Sequence, residues 1–551
     1  MTQALARLAA QKVLFSASPS RADILDLTLP NADAVRVAIN VWRNHNFESL
    51  STLVEPYSLF GRWYASWNLS AYDDSLAFAG WQPAAAELIW LDSGRSAAGT
   101  EAWLSWIEQR LQALRARSRA PILLATWLDV AGALGVICER IPEVYFLDLR
   151  QLCRAHGTEL LNDRTSALSG TPIHKAAQLV IARELACRAL PAVLFPPIKA
   201  VAFDLDETLH GGVLAEDGAA GVQLTEAHRA LQEQIRALRE RGIFIALVSR
   251  NERRDVEQLF ATREDYPLRI EDFSAIEVSW DEKPAALQRV AARLRIALDA
   301  LLFVDDNAGE LAAAAAALPA LHTLHAQPHA EHTMRALHYY PGLWRYRTGG
   351  DDRLRIADMQ ANAAREELAT RLDDPAEYFR SLQIQLSFRY NPLDQLERLA
   401  ELSMKTNQFN LAFKRWGATA LRDYLSLADS SIASVQLSDR LSDSGVIALL
   451  CARRRAQVLH VEELCISCRA LGRRLEHSIV MLALRGMPAF QGCTRVLFDV
   501  ALAPRNQPAL QWLQTALART EPVGQGTCEL LASSVHDFEA PEGVLVHTGQ
   551  A

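Results

Sequence analysis

The chain has 551 residues, of which 50% are apolar and 22% charged, and a formal net charge of −8. That length is too great for one hydrophobic core and predicts about three domains, and the composition leaves no room for a large disordered portion. The negative charge argues against a nucleic-acid backbone as the main partner, while a local basic pocket stays compatible with it.

The first twenty residues carry only a short apolar patch after Lys12, less than a secretory signal needs. No stretch reaches the roughly 20 apolar residues of a membrane helix, and the Ala-rich run after Glu310 is broken by Pro319. No membrane partner and a cytoplasmic location are therefore expected. Eight scattered cysteines outline no disulfide framework.

Residues 1–195 alternate short apolar runs of strand length (VRVAIN, AELIWLD, APILLATWL, VYFLDL) with helical patterns such as EAWLSWIEQRLQALRARS, which predicts an α/β layer with a mostly parallel sheet. LPAVLFPPIK then interrupts any helix and marks a boundary. A second α/β pattern fills 196–330. Residues 331–375 read as a helical linker ending at Asp373, Asp374 and Pro375. From 376 to 551 strand-like runs (LQIQLSFRY, SIASVQL, GVIALLCA, VLHVEELCIS, RVLFDVAL) mix with helices, which predicts an α+β domain.

The strongest signal is KAVAFDLDETLHGG, a buried strand ending in two carboxylates and a Thr. Residues i and i+2 of a strand face the same side, so Asp204 and Asp206 are expected to project together from the carboxyl end of the sheet, where open α/β folds bind ligands. One could attack phosphorus while the other donates and recovers a proton. Further along, IFIALVSRN ends a strand at Ser249, Lys283 opens a helix with Pro284 behind it, and ALLFVDDN ends at Asp305 and Asp306. These supply a hydroxyl and amides, a cation, and carboxylates for a hard metal ion.

This order, D-x-D-x-T, apolar-Ser, Lys, apolar-D-D, resembles the four motifs of the haloacid dehalogenase superfamily over about 110 residues. The resemblance implies a Rossmann-like phosphoryl-transfer domain with Asp204 as nucleophile, Asp206 as general acid/base and Lys283 balancing charge. It also implies Thr208, Gly211, Gly212, Ser249, Arg250 and Asn251 as substrate-binding residues, and Mg2+ held by a set drawn from Asp204, Asp206, Asp305 and Asp306. Only 45 positions separate Asp204 from Ser249, and one loop and helix fill most of them, so no cap domain fits.

Longer strings narrow the resemblance. DLDETLHGGVLAEDG, RIEDFSAI with SWDEK, FVDDNAGE, LSMKTNQFNLAFKRW, LSDRLSDSGVIALL and ISCRALGRRLE resemble the FkbH-like branch over about residues 200–490. FkbH-like enzymes take a glyceryl unit from 1,3-bisphosphoglycerate, remove phosphate and deliver the three-carbon acyl group to a phosphopantetheinylated acyl carrier protein for polyketide assembly. The simpler alternative is a stand-alone phosphatase for a small or protein-bound phosphate ester, with the outer domains used for recognition. The chain departs from the branch's pattern at Glu207 and His210, where Asn and Trp are common, at Val248, where Cys is common, and at Arg474, where Gly is usual.

The C-terminal part resembles a GNAT-like acyltransferase fold, with SCRALGRRLE at a strand-to-helix turn. There Arg469, Gly472 and Arg473, with Arg474, would meet a pantetheine phosphate, and with Lys414 and Arg415 would face an acidic carrier. Cys468 is either the thiol of an acyl thioester or a small core residue. Lys405, Asn407, Gln408 and Asn410 either bind ligand or satisfy a loop. The N-terminal domain stands where FkbH-like proteins often carry an SGNH-hydrolase-like domain. No Gly-Asp-Ser turn follows VRVAIN and His174 is in no Asp-x-x-His pair, so a docking or structural role is expected.

Overall fold

Five short runs rich in β-branched and aromatic residues form the first sheet: β1 (Val35–Arg43), β2 (Trp63–Tyr72), β3 (Ala86–Trp90), β4 (Ile122–Thr126) and β5 (Val144–Asp148), all parallel in the order β2-β1-β3-β4-β5. The computed structural model describes all residues except 1–2, 97–98, 129–130, 163–169, 347–349, 373, 504 and 550–551, so the expected boundary residue Asp373 lies outside the described part. The chain divides into two compact units, 1–348 and 349–551.

In the first unit, alternation along β1, β3 and β4 sends side chains to two faces. Trp42, Ile89, Ile122 and Leu124 pack with Trp103, Ile107, Leu111 and Leu114, one stripe of the helix Thr100–Arg117. Val41, Leu88, Trp90 and Leu123 join a core that continues into a second sheet. β2 is the strand the sequence pattern passes over: it lies at the sheet's edge, half-buried along most of its length, and lacks a continuous apolar run.

The second sheet comprises β6 (Ala200–Phe203), β7 (Phe244–Ser249), β8 (Ala275–Val278), β9 (Leu301–Asp305) and β10 (His322–His325), all parallel in the order β10-β9-β6-β7-β8. This is a doubly wound, Rossmann-like sheet whose strand order reverses between β6 and β9, where such folds open a crevice. Between β6 and β7 lie only a loop, the helix Leu214–Gly221, interrupted at Gly218, and the helix Glu226–Glu240, so the domain carries no cap. One expectation fails here. LPAVL does not interrupt the helix, which passes from Lys175–Glu184 through a π turn, Leu185–Ala189, and through Pro191 to Leu194. The turn is closed by a bond from the Leu190 amide to the Leu185 carbonyl, and in this wider turn the missing proline N–H is accommodated.

The second unit is a seven-stranded mixed sheet: β11 (Ile384–Tyr390), β12 (Ser430–Ser438), β13 (Asp443–Arg455), β14 (Val458–Ile466), β15 (Arg495–Val500), β16 (Gly526–Leu531) and β17 (Val544–Gly549), in the order β16-β15-β14-β13-β12-β11-β17. Pairing is antiparallel except for β14 with β15 and β11 with β17. β14 and β15 pair directly only over Val458–Val461, and farther along they part. The gap holds residues 409–411: the Ile466 amide donates to the Phe409 carbonyl (2.9 Å), the Leu411 amide to that of Leu464 (3.1 Å) and the Ala501 amide to that of Leu411 (2.7 Å). All eight cysteines are unpaired, and no described helix is long and apolar enough to cross a membrane.

Candidate active site

Short apolar strands end where their hydrophobic run ends, and at the crevice of the second sheet each end delivers a charged or hydroxyl side chain. β6 is wholly buried and stops at Phe203, after which the Asp204 amide donates to Val304 (2.9 Å) and fixes the carboxylate beside β9. β7 ends on Ser249 and β9 on Asp305. Lys283 is the first residue of the helix Lys283–Arg293, and Pro284 fits the following position because no amide partner is needed there.

Lys283 is 4% exposed and its Nζ donates to Asp204 Oδ1 (2.5 Å), Asp305 Oδ2 (2.8 Å) and the Val248 carbonyl (3.3 Å). Asp204, Asp305 and Asp306 each offer a carboxylate oxygen, all within 4.8 Å of one another. Three carboxylates thus crowd around one ammonium. Burial, only partly offset by Lys283 and reinforced by Asp305, raises Asp204 to about 7, and burial with the Asp305 charge raises Asp306 to about 6. Hard oxygen donors with excess negative charge suit a divalent cation such as Mg2+.

Asp206 corrects the expectation on two points. It does not share a strand face with Asp204, because the strand has ended and the chain turns, with Glu207 in the left-handed region (φ 51°) and its carboxylate accepting from the Gly212 amide (2.8 Å). Nor does its carboxylate belong to the metal-like cluster. It accepts instead from Asn251 Nδ2 (2.7 Å), the Leu214 amide (2.9 Å) and His210 Nε2 (3.2 Å). Burial pushes its carboxyl up, but those donors outweigh burial and hold it below the usual value.

The remaining expected residues separate into two groups. Asn251 also donates to Ser249 Oγ (2.9 Å), and the Thr208 hydroxyl and Asn251 Oδ1 are buried with no protein partner. Arg250 reaches Glu310 (2.5 Å) at the exposed rim. Gly211 and Gly212 shape the turn: Gly211 bridges Gln223, and at Gly212 (φ 94°) a Cβ would fall 2.5 Å from Asp217.

In the second unit the expected phosphate grip is already engaged. Arg473 is 2% exposed and bonds Asp358 (2.6 Å), Asp439 (3.2 Å) and Ser444 (2.9 Å), while Arg365 chelates Asp439 at 2.8 and 3.0 Å. The Gly472 amide donates to Glu476 (2.7 Å), and Arg474 takes a left-handed φ of 60°. Arg469 is buried and Cys468 half-buried just past β14. The polar cluster is internal: Lys405 meets Glu401 (3.5 Å), Asn407 accepts from Arg415 (2.5 Å), and Asn410 donates to Glu463 (3.1 Å). Glu463, which the sequence pattern does not single out, also accepts from Ser403 and the Lys414 amide, and burial raises its carboxyl.

The sequence matches no protein-family model and no curated protein significantly. Among solved structures, the chain is similar to the N-terminal part of a Bacteroides fragilis protein containing a phosphatase domain complexed with Mg, at 15% identity and a TM-score of 0.47, covering 60% of this chain and 98% of that one. A second likeness is to a fungal multi-domain β-N-acetylglucosaminidase with a GCN5-related glucosamine N-acetyltransferase region, at 9% identity and a TM-score of 0.14, covering 91% of this chain and 65% of that one. Similarity of that extent assigns no family, and the chemistry is read from the geometry of the site itself.

Proposed function

We propose that the first unit is a phosphatase of the haloacid dehalogenase type that acts through Asp204. The observation that carries this reading is the cluster of three carboxylates, buried Asp204 and Asp305 paired with Lys283 and half-buried Asp306 beside them, at the strand-order switch of a parallel sheet. Asp204 would form an oxygen–phosphorus bond as the bond to the leaving oxygen breaks. Asp206 would provide a proton where the leaving oxygen needs one, and then take a proton from the water that attacks the aspartyl-phosphate. This releases phosphate and restores Asp204. Lys283 orients the Asp204 carboxylate and offsets the negative charge, while Thr208 and Ser249 supply hydroxyls to the phosphate oxygens. Mg2+ fits Asp204, Asp305 and Asp306 and, when bound, would stabilise negative charge on the phosphoryl oxygens.

The finer reading is that the donor is 1,3-bisphosphoglycerate and that a glyceryl group is loaded onto an acyl carrier protein. Its support is the resemblance of residues 200–490 and a thiol, Cys468, that is not fully buried. A stand-alone phosphatase is the second reading, favoured by Arg473 and the Gly472 amide already having partners within the chain. One experiment tests both. The protein is incubated with magnesium, freshly generated 1,3-bisphosphoglycerate and a holo carrier protein, phosphate release is measured and the carrier is weighed. A glyceryl mass gain supports loading, and phosphate release above that of the Asp204→Asn protein without it supports the plain phosphatase; obtaining neither result removes the glyceryl donor, and inactivity towards phosphate esters as well removes the phosphatase reading.

A further inference from the structure

His210 is completely buried four residues past Asp206, and both ring nitrogens have a partner: Nε2 lies 3.2 Å from Asp206 Oδ1, and Nδ1 lies 3.0 Å from the Tyr266 hydroxyl. We infer that His210 and Tyr266 form a positioning relay that holds Asp206 in the orientation needed for its proton transfers, an inference that rests on the phosphatase reading above.

The direction of the relay follows from Tyr266. Its ring is 1% exposed, wedged edge-on against Phe260 (6.0 Å) and under the Arg263 guanidinium (5.0 Å), and burial keeps the phenol protonated. The Asp206 carboxylate can only accept and the protonated phenol can donate, so the arrangement that satisfies both contacts has the ring proton on Nε2, donated to Asp206 Oδ1, and Nδ1 accepting from the Tyr266 hydroxyl. Arg263 is tied in turn to the carbonyls of Ala219 (3.0 Å) and Val222 (2.9 Å), so the far end of the relay is anchored in the loop that follows β6. Asn251 donates to Oδ2 and the Leu214 amide shares Oδ1 with His210, so both oxygens are held while one acceptor position of Oδ2 stays open for the proton in transit. A proton donor held in this way acts in the transition state, so losing the relay lowers turnover more than substrate binding.

The test uses the full chain with magnesium and two esters: p-nitrophenyl phosphate, whose leaving group departs without a proton, and 2-glycerophosphate, whose alkoxide does not. His210→Phe is expected to lower kcat on 2-glycerophosphate by about 10- to 100-fold with KM little changed, and to slow the p-nitrophenolate burst, which reports phosphorylation of Asp204 by an ester whose leaving group needs no proton, several-fold at most. His210→Gln, whose amide N–H can reach the same oxygen, should recover most of the loss, and Tyr266→Phe should fall between the two. Nitrogen-15 spectra of the wild-type protein should show the His210 ring proton on Nε2. A p-nitrophenolate burst slowed as much as 2-glycerophosphate turnover, a Gln variant no better than Phe, or a proton on Nδ1 overturns the relay while leaving the phosphatase reading intact. A wild-type protein that releases phosphate from neither ester nor from 1,3-bisphosphoglycerate overturns both.

Discussion

Charged side chains are buried at the β6–β9 crevice of the first unit and at the strand-to-helix turn of the second, and they are balanced differently. At the crevice one ammonium pairs with two of three clustered carboxylates, and the Thr208 hydroxyl, four residues past Asp204, is buried with no protein partner. At the turn two guanidinium groups, Arg365 and Arg473, meet two carboxylates, Asp358 and Asp439, in one network. The network's charges cancel within the chain and those of the crevice do not. A buried charge without a counter-charge is costly, so an imbalance that persists at a strand-order switch suits a site that a cation would complete. The balanced cluster has the character of a structural pin, although its arginine stands in the more suggestive sequence string.

The largest expected effect separates the two regions most sharply. Asp204→Asn should lower phosphate release by about 10⁴-fold or more while the protein stays folded, because it removes the attacking oxygen. A variant retaining more than about a hundredth of wild-type turnover would remove Asp204 from that role.

Arg473→Ala should cost about 3–5 kcal/mol in urea denaturation, because it leaves Asp358 and Asp439 buried beside one arginine instead of two. If the variant unfolds at the wild-type midpoint yet loses carrier binding, the turn is a ligand site after all and the contrast between the regions fails.

Magnesium should raise the stability of the wild-type protein by about 2.7 kcal/mol when present at about 100 times its Kd, and Asp305→Asn should abolish that shift. The pH dependence without metal follows from the same crowding. Asp204 at about 7 and Asp306 at about 6 both lie above the ordinary value of 3.8, so between those limits the folded protein binds protons that the unfolded chain has released. This contribution favours folding at low pH and is lost as pH rises through about 6 to 7. Melting temperatures recorded in chelator from about pH 5 to 8 should therefore fall more steeply for wild type than for Asp204→Asn, and parallel profiles would show that Asp204 does not titrate there.

The smallest effect concerns Cys468. As a half-buried small residue it should cost on the order of 1 kcal/mol when changed to Ala, with phosphate release unaffected. An adduct of glyceryl mass on wild-type protein after incubation with the donor, absent from Cys468→Ala, would instead make it an acyl carrier.

Particular elements divide what could be read from the chain alone. Asp204, Ser249, Lys283 and Asp305 were legible because each sits at the end of a short apolar run or the start of a helix, and such ends are set by local hydrophobicity and capping. Four strands of the first sheet and all five on either side of the crevice, except the short β8 and β10, carry runs of this kind. β2, β16 and β17 do not, since strands at or near an edge need no continuous apolar sequence.

By itself, then, the sequence determined where chemically equipped side chains emerge from strands, because strand length and burial are short-range properties. Only the tertiary structure decided their partners. Arg473 meets Asp358 across 115 positions of chain, residues 409–411 fill the gap between β14 and β15, and His210 finds Tyr266 from 56 positions away. Such pairings depend on how sheets and loops pack, which no local pattern encodes, and they are what gave Arg473 partners within the chain and set the His210 ring between Asp206 and Tyr266.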